Sequence, residues 1–261
     1  GSGIATLRFL DTFGTDCLDE VVLWDHSTLA CEFARNAIIE RHPQIAVSIA
    51  NPSSLDSLDD TICLISHVLN ELSLDARAEL TELACSAKQV FWVEPGSHLS
   101  SRLLLNQREA MLERFHPIAP CVCAQACPMR NDDKLRHWCH FFAKTPMEAF
   151  MDGDWAQFAK IMEIDLRSLP YSFICMDAQS LASVPKLDGH SRVLGRPRQF
   201  KGYSKVFSCD ANGLSDYELQ KRDDKPLWKS IKKGKDGSLY QWTDIDSGRI
   251  RSGNSAEEKC S

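Results

Sequence analysis

The chain has 261 residues, of which 43% are hydrophobic and 25% charged, and its formal net charge is −6. This is the composition of a globular protein large enough to bury a sizeable core, and no apolar run reaches the roughly 18 residues that a membrane-spanning helix needs. The 11 cysteines are odd in number and scattered through apolar segments, which argues against a secreted disulfide scaffold and favours a reducing compartment.

Apolar, strand-like runs alternate with helical patterns through the first 116 residues. The predicted strands are residues 20–25, 44–50, 61–69 and 89–96, and the predicted helices are residues 27–38, 75–87 and 100–115. Nearly all-apolar strands that alternate with helices are typical of a parallel sheet covered on both faces. The sequence therefore predicts a doubly wound α/β fold.

The opening "GSG" is followed, 22 residues beyond Gly3, by Asp25 at the end of an apolar strand. In doubly wound sheets a glycine-rich turn lets the backbone approach a nucleotide, and an acidic residue ending the second strand takes the ribose hydroxyls. On this interpretation Gly1–Gly3 is the turn, and the strand expected before it is absent. The usual third glycine of this dinucleotide-binding fingerprint has no counterpart, and Ala5 is the nearest small residue. A fingerprint that is incomplete in this way suits S-adenosylmethionine better than NAD. An expression scar followed by an ordinary strand-end aspartate is the alternative.

Two polar side chains lie just past predicted strand ends, Asn70 in "SHVLNEL" and Glu94 in "VEPG". Open α/β sheets bind ligands at the carboxyl edge of their strands, which makes both residues candidates for the cofactor site. The structural alternatives are a helix cap for Asn70 and a turn carboxylate for Glu94.

Residues 119–141 read "APCVCAQACPMRNDDKLRHWCHF" and contain four cysteines and two histidines. Thiolates are soft ligands that suit zinc and iron–sulfur clusters. The spacing of Cys121, Cys127 and Cys139 is wider than that of zinc ribbons and favours a loop around a 4Fe–4S cluster, whose fourth cysteine can be remote. Cys209, which ends a strand ahead of an Asn-Gly turn signal, is the best remote candidate.

Other residues in this region are alternative candidates for metal ligands. Cys123 is either a spare thiol or a competing ligand, and His137 or His140 could complete a Cys3His zinc site. No residue in the chain is identified as a dedicated catalytic base or nucleophile, so the catalytic residues are unknown. Methyl transfer to RNA needs mainly the positioning of the acceptor, and the absence of a base does not exclude it.

The chain becomes basic and β-like after a predicted helix at 147–164 and a predicted strand at 171–177. Residues 186–235 carry 13 Lys and Arg against 6 Asp and Glu, which indicates a polyanion partner or a solvated surface. The candidate phosphate contacts are Arg192, Arg196, Arg198, Lys201 and Lys205. Residues 246–261 are predicted to be a loose tail.

The order of "GSGIAT", "LWDHS", "SHVLNEL", "VEPGS", "APCVCAQACPM", "WCHF" and "GRPRQFKGYSKVFSCDANG" resembles the Rsm22-like family, over roughly residues 1–225. These are methyltransferase-like proteins associated with the small ribosomal subunit in bacteria and mitochondria. The resemblance implies an S-adenosylmethionine-type fold with a 4Fe–4S cluster and a role in maturing the small subunit through its rRNA. Carried over by position, the cluster ligands are Cys121, Cys127, Cys139 and Cys209, and the cofactor site involves Gly1, Gly3 and Asp25.

Two departures from the family matter. An N-terminal helical region and the first strand are lacking, which bears on cofactor binding, and Cys123 stands where the family often has a histidine or another polar residue. The expected role is that of an rRNA-binding assembly factor, the alternatives being an active rRNA methyltransferase and a zinc-stabilised interaction module. We expect a monomer, without membrane contact, in the bacterial cytoplasm or, alternatively, the mitochondrial matrix.

The predicted architecture has five segments. They are a methyltransferase-like core at 1–116, a Cys-rich metal-binding insertion at 117–146, the remainder of the core sheet at 147–180, a basic β-rich region at 181–245 and the loose tail at 246–261.

Overall fold

The computed structural model describes residues 1–55, 57–131, 137–178, 187–234 and 237–256. An α/β part is followed by a β-barrel. The α/β part contains α1 (Ile4–Phe13), β1 (Glu20–Leu23), α2 (Thr28–Arg41), β2 (Ala46–Ile49), β3 (Ile62–Ser66), α3 (Leu74–Cys85), β4 (Gln89–Pro95), α4 (His98–Met111), β5 (His116–Ala119), β6 (Phe141–Ala143), α5 (Glu148–Met151), α6 (Gly153–Ile161) and β7 (Leu169–Asp177). The barrel contains β8 (His190–Val193), β9 (Arg198–Phe200), β10 (Tyr203–Asp210), β11 (Gly213–Gln220), α7 (Lys225–Lys233), β12 (Leu239–Asp246) and β13 (Arg249–Ser255).

The strand–helix alternation of the first part is confirmed, with serine caps at the starts of its helices. Ser27, Ser73 and Ser97 each accept a hydrogen bond from the backbone N–H three residues on, which satisfies a donor that the first turn leaves free. Ser27 is the N-cap that the sequence predicts. Parallel pairing is also present, between β1 and β2 and between β3 and β4.

The strands do not form the single doubly wound sheet that we expected. The pair β1–β2 is one sheet, and β3-β4-β7-β5 is another, with β6 on β7 and with β7 antiparallel to its neighbours. Among the described residues no strand joins β1 to β3. Helix α1 packs against both sheets instead: Leu10 is buried with Leu23 and Ile38, and the Phe9 ring lies 5.6 Å from the ring of Phe91 in β4. The result is a mixed α/β part with two sheets.

The main core lies around β4, where the side chains alternate in burial along the strand. Trp92 and Val90 are fully buried there, with Met111 at the end of α4 and Phe115 four residues beyond it. This core fixes α4 against β4 and β7, and α4 in turn carries the residues that hold the cysteine loop.

Helices α5 and α6 replace the single predicted helix at 147–164. The helix is interrupted at Asp152, whose carboxylate accepts a hydrogen bond from the N–H of Asp154 and caps α6. Eight apolar side chains of this segment are 40–80% exposed: Met147, Phe150, Met151, Trp155, Phe158, Ile161, Met162 and Ile164. The helical pattern was right, but its apolar face is not buried against the described part of the chain.

The barrel has five strands in the order β11-β13-β12-β8-β10, closed by pairing of β10 with β11, and β9 extends it beside β10. Only the β11–β13 pair is parallel. Helix α7 lies between the third and fourth barrel strands and places Leu227 and Ile231 in the barrel core. A five-stranded Greek-key barrel of this order has the topology of the oligonucleotide/oligosaccharide-binding fold, or OB-fold.

The predicted loose tail is wrong for residues 249–255, which form β13. Ser247 and Gly248 both have positive φ and make a two-residue turn between Asp246 and Arg249, which are paired residues of β12 and β13. Ile250 is fully buried in the barrel core, and burial of its side chain holds the strand in place. Residues 132–136, 179–186, 235–236 and 257–261, which belong to the predicted segments, lie outside the described residues.

Of the helices that the structure describes, none has both the length and the apolar character needed to cross a membrane.

Candidate functional site

Three of the four predicted ligand cysteines come from the segment that connects β5 to β6. Cys121 follows β5 directly, Cys127 precedes a short 3-10 turn at Pro128–Asn131, and Cys139 lies just before β6. Cys209 comes from β10 of the barrel. All four are free thiols of intermediate exposure.

The structure brings these four thiols together. Burial raises the pKa of the Cys139 thiol well above its usual value, and negative charge on Cys121, Cys127 and Cys209 raises it further. Burial likewise raises the pKa of Cys209 to about 12, with contributions from Cys121 and Cys127, and that of Cys127 to about 11, with a contribution from Cys121. Three of the four, Cys127, Cys139 and Cys209, also pack against the same buried apolar side chains.

Arg108, on α4, is the main anchor of the cysteine loop. Its side chain is only 4% exposed. Nε donates to the Cys121 sulfur at 3.2 Å, and Nη2 donates to the carbonyl oxygens of Cys123 at 3.3 Å and Gln125 at 2.9 Å. Burial by itself lowers the pKa of Arg108, but the interaction with the adjacent Cys121 raises it above its ordinary value. One buried cation thus holds both the thiol and the backbone of the loop.

The neighbouring residues on α4 fix the rest of the loop. Glu109 forms an ion pair with Arg108 and accepts from the backbone N–H of Cys127 at 3.1 Å. The Ser101 hydroxyl donates to the carbonyl oxygen of Cys139 at 2.8 Å, and Ser172 of β7 donates to the same oxygen at 2.7 Å. Residues 101, 108 and 109 recur at helical spacing, so one face of α4 contacts the parts of the segment around Cys121, Cys127 and Cys139.

Arg192 joins the barrel to the same loop. It is paired across the sheet with Cys209, its Nε donates to the carbonyl oxygen of Pro120 at 2.9 Å, and its Nη1 donates to the Ser238 hydroxyl at 3.0 Å. Because Pro120 precedes Cys121, this buried guanidinium fixes the distance between the β10 thiol and the start of the loop.

An apolar cluster surrounds the thiols on one side. Met129, Phe141 and Leu194 are buried there, and Cys127, Cys139 and Cys209 pack against them. A water-poor surrounding of this kind disfavours isolated thiolates and favours thiolates that a metal neutralises.

The alternative ligands have other contacts. The His137 ring stacks on Phe207 at 4.3 Å, and the His140 ring stacks on Trp138 at 4.5 Å. Burial lowers the pKa of His140, while its bond to the Trp138 carbonyl oxygen acts in the opposite direction. Cys123 contributes to the raised pKa of Cys209 and lies within the loop. Within the described residues, no three Cys, His, Asp or Glu side chains are close enough to hold a single metal ion as they stand.

The predicted cofactor residues lie in two places. The Gly1 backbone nitrogen contacts the Asp25 carboxylate, whose other oxygen accepts from the Ser27 N–H at 2.8 Å. Gly3 has a φ of 75°, and a Cβ there would lie 2.7 Å from the Ala34 Cβ, so glycine allows α1 to approach α2. The cofactor role of the glycine turn and of Asp25 stays a prediction.

Asn70 and Glu94 lie at the carboxyl edge of β3 and β4. Asn70 donates to the Ser100 hydroxyl at 2.8 Å. Glu94 is fully buried, and its Oε1 accepts from the N–H groups of Val68 and Leu69 and from Trp92 Nε1. Its Oε2 has no hydrogen-bond partner within the described part of the chain. Glu94 thus holds the loop that leaves β3, and the cofactor role of both residues stays a prediction.

The five predicted phosphate contacts differ in exposure. Arg192 is buried, as described above. Arg196 lies 4.1 Å above the Phe142 ring, Arg198 forms an ion pair with Asp216, and Lys205 lies 3.9 Å from the same carboxylate. Lys201 is exposed and lines a cleft at the tip of the β9–β10 hairpin.

Sequence reasoning missed Arg108, Glu109 and the structural role of Arg192. A signal for the first two was available, because two adjacent charges interrupt an otherwise amphipathic helix just before the cysteine segment. Nothing in the sequence distinguishes Arg192 from the exposed arginines that follow it.

No curated protein sequence is significantly similar to the chain. A family model described as mitochondrial small ribosomal subunit Rsm22 matches residues 1–241, nearly the full length. This match includes every residue of the cysteine site and both sheet-edge positions. The chain therefore belongs to the Rsm22 family.

Proposed function

We propose that this protein is a small ribosomal subunit factor that binds rRNA through its basic barrel. The proposal rests on the family match, because the matching family model is described as mitochondrial small ribosomal subunit Rsm22. The barrel supports it, because its topology is used for oligonucleotide binding and because basic residues outnumber acidic ones by 13 to 6 over residues 186–235.

The exposed cations form the proposed rRNA contact. Arg196, Arg198, Lys201 and Lys205 lie on and beside the β9–β10 hairpin. We leave Arg192 out of this surface because its guanidinium is buried and donates to Pro120 and Ser238. Arg198 and Lys205 share Asp216, and a phosphate would compete with that carboxylate.

Binding to small-subunit rRNA is expected to weaken steeply as salt increases. Each phosphate contact contributes a slope of about −0.7 to −0.9 in the logarithm of the binding constant against the logarithm of salt concentration. Four contacts therefore predict a loss of about 50- to 150-fold between roughly 50 and 200 mM salt. Filter binding or fluorescence anisotropy over a salt series measures the slope. The matched control is Lys160→Glu on α6, which should leave the slope unchanged, and a wild-type affinity independent of salt would show that the surface is misassigned.

The four converging cysteines support a 4Fe–4S cluster as the resident cofactor. The donor set supports it, since Cys127, Cys139 and Cys209 pack against one apolar cluster, Cys121 accepts from the buried Arg108, and the loop backbone is held by hydrogen bonds from the same arginine. When bound, the cluster would supply a cross-link between the loop and β10 by taking thiolate ligands from both. Cys121, Cys127, Cys139 and Cys209 would hold it.

Zinc is the alternative metal. A single zinc ion requires its ligand atoms about 2.0–2.3 Å from one centre, whereas a cubane binds each thiolate to a different iron and holds them farther apart. Among the described residues no three potential ligands are placed around a single ion, which favours the cluster over zinc. The stacking contacts of His137 and His140 with aromatic rings also weigh against a Cys3His site.

Methyl transfer from S-adenosylmethionine is the second candidate function. The strand order β2-β1 and β3-β4-β7-β5, with β7 antiparallel, supports this candidate, since one further strand between β1 and β3 would join the two pieces into a sheet of the methyltransferase type. The left-handed Gly3 ahead of α1 and the carboxylate of Asp25 just past β1 support a nucleoside site at this edge, where Asp25 would accept from ribose hydroxyls. The cofactor would supply the methyl group, and the protein would contribute binding and orientation.

Loss of the gene is expected to remove a methyl group from small-subunit rRNA if this second candidate is correct. Mass spectrometry of rRNA from cells that lack the gene measures it, with an Asp25→Asn allele as the matched test of the cofactor site. An rRNA with its full set of methyl groups in both strains would leave the assembly role as the function. The family description supports a mitochondrial location, and we propose the mitochondrial matrix as the site of action, with the bacterial cytoplasm as the alternative.

A further inference from the structure

The outer face of strands β10 and β11 is divided into two halves with different surroundings. Cross-strand partners on this face are Tyr203 with Gln220 and Lys205 with Glu218 at one end, and Cys209 with Leu214 at the other. In an OB-fold this is the face that receives an oligonucleotide, because it is centred on the second and third barrel strands.

One half of the face is covered by the cysteine site. Phe207, Cys209 and Leu214 pack against the buried cluster of Met129 and Phe141. The α/β part of the same chain therefore occupies this half, and no oligonucleotide can reach it in this arrangement.

The other half is open and carries an aromatic pair. Phe200 and Tyr203 are the closing pair of the β9–β10 hairpin, and their rings stack at 4.7 Å with an angle of only 6° between planes. Phe200 is 44% exposed. The turn between them is tight because Gly202 has a φ of 90°, and the backbone N–H of Lys221 donates to the Gly202 carbonyl oxygen at 3.0 Å. The pair is therefore a flat, fixed and accessible aromatic surface.

A basic cleft adjoins this aromatic pair. It has a volume of about 610 Å³, its floor includes Tyr203 and Gln220, and its cationic lining residues are Lys201, Lys221, Arg222 and Lys225. All four are exposed, and among the described residues no carboxylate forms an ion pair with any of them. The nearby Asp223 is paired with Arg249 and Arg251, so it does not neutralise the cleft.

We propose that the open half of this face binds an unpaired segment of RNA, with a base stacked on the Phe200–Tyr203 pair and the adjoining phosphates in the basic cleft. This deepens the proposed function and rests on it, since it names the kind of rRNA that the barrel takes. Stacking on a protein ring requires a base face that is free of its neighbours, which a duplex does not offer. Fixed aromatic rings beside unpaired cations are the two elements by which single strands are bound with little sequence preference.

The aromatic arm of the test uses oligouridine of about 12 nucleotides, within the ~4–16 nucleotides that one barrel of this kind covers. Phe200→Ala is expected to weaken binding of this probe by about five- to 150-fold, the loss that corresponds to one base stack, and Phe200→Trp is expected to retain it. Phe158→Ala is the matched control, since Phe158 is also 44% exposed but lies on α6. Thermal unfolding of each variant checks that the barrel is intact.

The charge arm uses Lys225→Glu. Lys225 is the first residue of α7, where a negative side chain is compatible with the helix dipole, so the helix should persist. The slope of oligouridine binding against salt is expected to become shallower by about 0.7, the value for one phosphate contact of a single strand.

The outcomes separate the two proposals. Binding of small-subunit rRNA with no binding of oligouridine, or with unchanged affinity in Phe200→Ala, overturns the unpaired-RNA inference and leaves the proposed function standing. Equal affinity for a duplex of the same length, or for polyglutamate, also overturns it, the latter by identifying an acidic protein segment as the ligand. Failure to bind either rRNA or oligouridine overturns the proposed function itself.

Discussion

Substitution of Cys209 by serine is expected to release the metal and to separate the barrel from the cysteine loop. Serine is close to cysteine in size but is a poorer ligand for iron, so the packing changes little while the cross-link is lost. Cys139 and Cys209 are about 70 residues apart, and a cross-link across a loop of that length is worth about 4 kcal/mol in the chain-entropy model. We therefore expect the free energy of unfolding to fall by about this amount in the loaded protein.

Iron, sulfide and zinc analysis under nitrogen, with urea unfolding, measures both effects. The wild type is expected to contain about four iron and four sulfide per chain, as one cubane requires, and the variant neither. Cys63→Ser is the control, because burial raises the pKa of that thiol to about 11 but its position in β3 is outside the cysteine site. It should lose some stability and keep its metal. A Cys209→Ser protein with wild-type iron and sulfide would remove Cys209 from the ligands, and a wild type with zinc alone would replace the cluster by zinc.

Substitution of Arg108 by methionine is expected to be the most damaging change outside the cysteines. It removes the donors to Cys121 and to the carbonyl oxygens of Cys123 and Gln125, and it leaves Glu109 with Arg130 as its remaining cationic partner. Unsatisfied buried acceptors cost about 1–3 kcal/mol each, and partial hydration of the loosened loop reduces this. We expect a loss of about 2–4 kcal/mol in unfolding free energy.

Limited proteolysis and urea unfolding of metal-free protein test the Arg108 prediction without dependence on metal loading. Cleavage within residues 121–127 should become faster than in the wild type. Arg114→Met is the matched control, since Arg114 follows α4, is 47% exposed and makes a 3.5 Å ion pair with Asp59. An exposed pair of this kind contributes about 0–1 kcal/mol. Equal stability of the two variants would mean that Arg108 does not anchor the loop.

The elements of the α/β part were predictable because their apolar periodicity agrees with their final burial. The strands at 61–69 and 89–96 and the helix at 100–115 are each found within a few residues. The arrangement of the strands into two sheets was not predictable, since periodicity reports which face is buried and not which strand is the neighbour.

The barrel shows where local signals were sufficient and where they were not. The Asn-Gly turn signal after Cys209 was recognised, and Ala211 and Asn212 do connect β10 to β11. The Ser-Gly turn ahead of β13 is the same kind of signal. It did not lead to a predicted hairpin because the residues around it are polar, which is typical of a tail. Helix α7 was missed too, although Asp224 caps it and Leu227 and Ile231 repeat at a spacing of four.

The candidate ligands were chosen from side-chain chemistry, and three of the four thiols, Cys127, Cys139 and Cys209, pack against one apolar cluster, while their role as ligands stays a prediction. Chemistry identified them because few residue types bind soft metals. The residues that support the loop escaped notice because arginine is usually exposed. Only the three-dimensional contacts reveal that Arg108 and Arg192 are buried and face inward.

The α/β part covers one half of the β10–β11 face. An RNA segment that binds the other half therefore contacts only a short length of the two β-strands. Four residues of β10, from Tyr203 to Val206, extend about 13 Å at the ~3.3 Å rise of a strand. That length suits two or three nucleotides, fewer than most barrels of this class cover. A site so short needs only a few unpaired bases, which the bulges and small loops of folded rRNA supply as well as a single strand does.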